Sequence, residues 1–200
     1  MNKLIAVVGM SGSGKGIATD YLEDAGWTKL YFGGITYKLM EEQGIERTPD
    51  GKSEKEFREN LRKEHGRECY AKFLEPEIKE ALKKGDVVLD GLYSWYEYTY
   101  LIERFKNLKL VSVVVDKSIR YDRVGIRKER AFSKNDIIYR DVSEIENLAK
   151  GGPIAYADYY IYNNGTVEEF YKRLEEIIDK IDKEEEQWKE WLVMKLERCG

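Results

Sequence analysis

The chain has 200 residues, 42% hydrophobic and 36% charged, which suits one globular domain with a full core and excludes a disordered or fibrous protein. A formal charge of −4 and a pI near 5.4 give no global field for nucleic acid, so no polynucleotide partner is expected. Cys69 and Cys199 stand far apart without metal-ligand spacing, and no apolar run is long enough to cross a bilayer. The expectation is a cytoplasmic protein with free thiols, no leader and no membrane partner.

Leu4 to Gly9 is a short apolar run rich in β-branched residues, followed by a glycine-rich turn and a helical pattern with Ile17, Ala18, Tyr21 and Leu22 on one side. Similar apolar runs occur at Thr28–Phe32, Asp86–Leu92, Leu108–Asp116 and Tyr159–Tyr162, separated by longer charged segments with helical spacing. Near-continuous apolar strands alternating with helices predict an α/β fold with a parallel sheet covered on both faces. Residues 35–85 exceed a simple crossover: TPDGKS is turn-prone, and SEKEFRENLRKEH and CYAKFLEPEIKEALKK read as two charged helices of an insertion. A charged segment, RKERAFSKNDIIYRD, predicts a flap over about 127–141. Thr166 and Glu169 form the capping-box signature of a helix start. Beyond a domain of residues 1–180, residues 181–200 predict a charged helical extension, with Trp188 and Trp191 spaced for one face. That extension suits packing back on the core or meeting a partner, a second copy in a homodimer included.

Gly9-Met10-Ser11-Gly12-Ser13-Gly14-Lys15 matches G-x-x-x-x-G-K between a buried strand and a helix start. Backbone N–H groups of such a loop wrap a phosphate chain, the helix N-terminus adds positive potential, and Lys15 reaches the β and γ phosphates. Gly12, Ser13, Gly14, Lys15, Gly16 and Ile17 are therefore the expected nucleotide-binding residues. Gly16 stands where many such loops carry the hydroxyl that binds Mg²⁺, so the metal must be held by phosphate oxygens, water and a carboxylate. Asp90, closing VVLD before Gly91, is that carboxylate, acting through water at the C-terminal end of a strand.

GMSGSGKG, LRKEHG at 61–66, VVLDG and YIYNNGTVEEF at 160–170 resemble the adenylate-kinase-like branch of the P-loop nucleoside monophosphate kinases. The resemblance spans most of residues 1–180, is strongest to an adenylate-kinase-related set found largely in archaea, and in the last segment extends to dephospho-CoA kinases. It implies a sheet in the order 2-3-1-4-5, ATP with Mg²⁺, a substrate-binding insertion after the second strand, and an arginine-bearing lid. Arg120, Arg123, Arg127 and Arg130 recur at helical spacing. Arg120 reads as part of a solvated face paired with Asp116, whereas the like charges Arg123 and Arg127 call for an anion. The resemblance assigns Arg123 and Arg127 to ATP and the transferring phosphate, makes Arg140 the arginine returning from the lid, and brings the backbone of the turn holding Asn164 to adenine.

On the acceptor side the pattern departs from that group. Gly34 and Tyr37 replace an expected aspartate and arginine, and Tyr93 replaces a second arginine. The acceptor would then meet Gly34, Tyr37, Lys38, Arg62, Arg67, Tyr93 and Tyr96, with the cations supplied by the insertion. YSWYEYTY places Tyr93, Tyr96 and Tyr100 together, as a base-stacking wall or as packing. His65, the single histidine, reads as structural. The expected reaction moves the γ-phosphate of Mg-ATP to a (deoxy)nucleoside monophosphate. The alternatives are a dephospho-CoA or nucleoside hydroxyl acceptor, or an ATP-binding switch with slow hydrolysis.

Overall fold

In the computed structural model the strand Leu4–Val8 (β1) is buried along its whole length, as a strand covered on both faces must be. The description covers residues 2–48, 51–126 and 133–197, with side chains as far as 187 except 185. After β1 come helix α1 (Lys15–Asp24), strand β2 (Thr28–Tyr31) and three helices, α2 (Phe32–Glu42), α3 (Lys52–His65) and α4 (Cys69–Leu82). Strand β3 (Val87–Asp90), helix α5 (Trp95–Arg104) and strand β4 (Leu108–Val114) follow. Helices α6 (Lys117–Gly125), α7 (Lys134–Leu148) and α8 (Gly151–Ala155) lead to strand β5 (Tyr159–Tyr162), and α9 spans Val167–Glu197.

All strands pair in parallel, in the order β2-β3-β1-β4-β5 that the resemblance implies. Val7 of β1 and Tyr31 of β2 both register with Asp90 of β3. The loop after β1, the end of β2 and Asp90 therefore share the carboxyl edge of the sheet, where open α/β folds bind ligands. Leu4, Ala6 and Val8 join Leu89, Leu110, Phe32, Leu74, Ile78 and Leu101 in the main core. The second strand stops one residue earlier than its apolar run, because Phe32 begins a helix and is itself fully buried. A Cβ at Gly33 would strike the Tyr31 ring, which lies across that helix start.

Two compact units are present, residues 1–164 and 165–200. In the second, Thr166 and Glu169 close the expected capping box at the start of α9. Trp188 and Trp191 lie outside the described side chains. Among the described residues no helix is long and apolar enough to cross a membrane.

Candidate active site

The loop between β1 and α1 is shaped by glycines that no other residue could replace without strain. Gly12 and Gly14 hold φ of +84° and +102°, in the left-handed region that an L side chain rarely adopts. A Cβ at Gly12 would lie 2.6 Å from Val124 and 2.8 Å from the Arg120 carbonyl, and one at Gly14 would strike the Asn163 amide. Two side chains from later in the chain hold the loop by its carbonyls. Asn163 Nδ2 donates to Ser13 O at 2.8 Å, and Arg120 Nη1 donates to Ser11 O at 2.8 Å. With those carbonyls held by side chains and Ser13 N bonded to Met10 O at 3.1 Å, the remaining loop amides can face a ligand. Ser13 Oγ is buried with no protein partner, and Lys15 Nζ folds back to Met10 O at 3.0 Å. An orphan hydroxyl, a cramped glycine backbone and a buried amine together fit a polyphosphate chain.

Beside the loop stands a charged cluster supplied by β3 and α7. Three positions on α7 turn inward at helical spacing, Ile137, Asp141 and Glu144. Glu144 binds Lys150 Nζ through Oε2 at 2.5 Å and Arg140 Nε through Oε1 at 2.9 Å. Burial alone would raise the Glu144 carboxyl, but Lys150 and Arg140 outweigh it and hold the group below the usual carboxylate range. Burial, opposed by Lys15 and Lys29, pushes Asp90 up. Tyr93 is likewise raised by burial, with Tyr31 and Asp90 adding to it, and its ring lies 5.0 Å from Lys150 Nζ. The turn carrying Tyr93 is fixed by Glu97, whose Oε2 accepts from Tyr93 N at 2.8 Å and Ser94 N at 3.0 Å.

Burial, with Lys150 adding like charge, pulls the Lys15 amine from its ordinary 10.5 to about 7, while Glu144 and Asp90 oppose the fall. Between those values the unfolded chain binds the extra proton, so this group makes stability rise with pH from about 7 towards 10.5. A bound phosphate restores the charge. Binding of Mg-ATP at pH 8 should therefore take up a proton, and affinity should weaken above pH 7 by up to about tenfold per unit. Calorimetry in buffers of different ionisation enthalpy reads this uptake; its absence would show that Lys15 is already charged.

The structure gathers some expected residues and separates others. Lys15, Asp90, Arg140 and Tyr93 belong to one cluster. Arg123 is half-buried on α6, and Arg127 lies outside the described residues. Arg120 is not on a solvated face. It is 6% exposed and makes a bidentate pair with Asp141, not Asp116, because a buried guanidinium needs a buried counter-charge. Asn164 accepts from Asp116 N at 2.9 Å, and the neighbour Asn163 is the residue that grips the loop. On the insertion, Lys38 pairs with Glu77 at the surface, and Arg47 covers the Tyr37 ring. Arg67 stacks on Tyr96 and donates to Asn147 O. Arg62 stacks on Tyr70 beside the buried Glu97. Gly34 lies within α2, and Tyr100 donates to Glu75 and stacks under the Arg104 guanidinium. His65 packs edge-on against Phe73. A cavity of about 460 Å³ in the insertion is lined by Ile45, Phe57, Leu61 and His65 among others, and by none of the cluster residues.

Ile17 is partly exposed on α1, and Gly16 faces open space, where an added Cβ would meet no atom within 4 Å. The missing hydroxyl is thus not a steric requirement. Gly16→Ser should change stability by no more than a few tenths of a kcal/mol, since serine is the better helix former. It should lower the Mg²⁺ concentration needed for half-maximal ATP binding; an unchanged Mg²⁺ titration would place the metal elsewhere.

The sheet order, the phosphate-type loop at its carboxyl edge and the flanking helices define a P-loop kinase fold. A family model described as an AAA domain matches residues 5–147. A UPF0200 protein from Sulfurisphaera tokodaii is 30% identical over 184 residues, covering 90% of this chain and 97% of the relative. The chain therefore belongs to the family described as AAA domain and to the UPF0200 proteins. A shikimate kinase from Bacteroides thetaiotaomicron superposes with a TM-score of 0.59 at 14% identity, covering 91% of this chain and 99% of its own. A dephospho-CoA kinase from Campylobacter jejuni gives 0.55 at 17% identity, with 90% and 97% coverage.

Proposed function

We propose that the chain transfers the γ-phosphate of Mg-ATP to a small nucleotide-like acceptor, a (deoxy)nucleoside monophosphate first among them. The observation that carries this reading is the convergence of the half-buried Lys15 and the buried Lys150 with Arg140 beside the phosphate-type loop. Several cations at the end of one loop exceed what holding a nucleotide requires, and they suit neutralising a transferring phosphoryl group. Mg²⁺, when bound, would offset the charge of the phosphates. Asp90 would hold it through water, and Gly12 to Lys15 would hold the donor phosphates. No covalent intermediate is needed, since positioning and charge neutralisation suffice for this chemistry.

A hydroxyl acceptor is the second reading, favoured by the raised Asp90 carboxyl, which makes that group a better proton acceptor than an ordinary aspartate. The fold likeness to a shikimate kinase and a dephospho-CoA kinase keeps such acceptors in the test. ADP formation from Mg-ATP is measured against nucleoside monophosphates, nucleosides and dephospho-CoA, with Lys15→Ala as the blank. A large Lys15-dependent stimulation by a monophosphate supports the first reading, and stimulation by a hydroxyl acceptor alone supports the second. If no compound raises the rate above slow hydrolysis, an ATP-binding switch is the better account.

A further inference from the structure

The sequence pattern singles out no lysine after residue 38 for the site, yet Lys150 is 2% exposed and ranks among the largest buried side chains. Three features place it. Ala149, at the C-cap of α7, takes φ of +52°, the one positive value at a non-glycine position among the described residues. That left-handed step turns the chain sharply, and Lys150 N then donates to Glu144 O at 3.2 Å. The side chain points inward, its Nζ meeting Glu144 Oε2 at 2.5 Å and lying 5.0 Å from the Tyr93 ring. Tyr93 in turn packs against Gly91, next to Asp90, the residue in register with β1 where the phosphate loop begins.

The two carboxylates on the inner face of α7 have different surroundings. Asp141 is engaged by Arg120 and by Tyr121 Oη at 3.2 Å, a pair that also anchors Ser11 O. It is a structural fastening. Glu144 instead spans two cations, Lys150 and Arg140, close enough to Lys15 for all of these charges to act on its amine. Glu144 thus stands among Lys150, Arg140 and Lys15, with Asp90 also near the last, beside a loop built for phosphate, where an arriving anion can compete for the cationic groups.

We propose that Lys150 is a γ-phosphate-binding residue that Glu144 holds in reserve: the carboxylate occupies Lys150 and Arg140 until the third phosphate of ATP takes its place. The proposal rests on the reading that the loop binds ATP. It goes further in naming the residue that senses the third phosphate and the internal anion that competes with it. A nucleotide without that phosphate leaves the Glu144 pair intact, so Lys150 contributes to the affinity for ATP and not to that for ADP.

Titration calorimetry with Mg-ADP and with a non-hydrolysable Mg-ATP analogue tests this, on the full-length chain and on Lys150→Met and Glu144→Gln. Lys150→Met should weaken the ATP analogue by roughly tenfold or more while ADP stays within about twofold. Glu144→Gln removes the competing carboxylate and, measured at a pH low enough to keep the buried amines charged, should strengthen the analogue relative to ADP. Equal losses for both nucleotides in Lys150→Met would show a packing role and overturn the proposal, as would an unchanged ratio. Should either single variant fail to fold, Lys150→Met combined with Glu144→Leu, which removes both charges of the buried pair, decides: a wild-type ratio of analogue to ADP affinity in that variant overturns the proposal. A wild-type chain that binds neither nucleotide overturns the ATP reading itself. Binding of both with a ratio insensitive to either substitution overturns only the role of Lys150.

Discussion

Lys15→Met should fold at least as stably as the wild-type chain and consume Mg-ATP roughly 10²–10³-fold more slowly. The two halves of this expectation have one cause. The Lys15 amine is held in a buried site beside Lys150, where solvation is poor and like charge is near. Without a phosphate, the charged form is costly there, and a methionine of similar length removes that cost while filling the space. With phosphate present the balance reverses. In a site with little water, a cation aimed at developing charge acts through a low effective dielectric, so its loss is felt most in the transition state. Thermal melts and ADP release on the same preparations measure both halves. Turnover within about threefold of wild type would remove Lys15 from the chemistry.

Asp141→Asn should destabilise the fold by about 3–5 kcal/mol, because it leaves the Arg120 guanidinium buried without its counter-charge. Arg120 reaches three partners, both Asp141 oxygens and Ser11 O, so it ties α7 to the phosphate loop through α6. The double substitution Arg120→Met with Asp141→Leu removes both charges and should recover most of that stability, since a buried pair replaced by apolar groups is often neutral. It cannot recover the hydrogen bond to Ser11 O. The double variant should therefore unfold near the wild-type denaturant midpoint and still bind Mg-ATP less tightly, by several-fold for one charge-assisted hydrogen bond. Denaturant unfolding and nucleotide titration separate the two effects. A double variant with wild-type affinity would show that the loop holds its shape without Arg120.

Much of this is legible in the residues themselves. The five apolar runs become five strands, most plainly β1, β3 and β4, since a parallel strand buried on both faces has few polar positions to blur its pattern, whereas the edge strands β2 and β5 are more exposed. The phosphate loop is legible because its glycines answer to local backbone geometry, which depends on few neighbours. Strand order comes from resemblance, since periodicity carries no information about which strands pair. The charged cluster is harder to see. Arg120 and Asp141 lie 21 residues apart, and Lys150 follows a helix end where nothing local marks an inward turn. Long-range pairing of buried charges is a property of packing, not of spacing. Two local signals do stand in the sequence beside the one at Thr166: Ser94-x-x-Glu97 and Ser133-x-x-Asp136 are both capping boxes in the structure, and the first fixes the turn that carries Tyr93. Asn163 and Asn164 both follow the end of β5, where strand alternation no longer tells which amide faces the loop.

The most direct test of phosphotransfer is to follow the label from γ-³²P-ATP in the presence of each acceptor and separate the products. Phosphotransfer predicts label in a phosphorylated organic product, with formation abolished in Lys15→Met. Label recovered only as inorganic phosphate, with every acceptor tested, would contradict it.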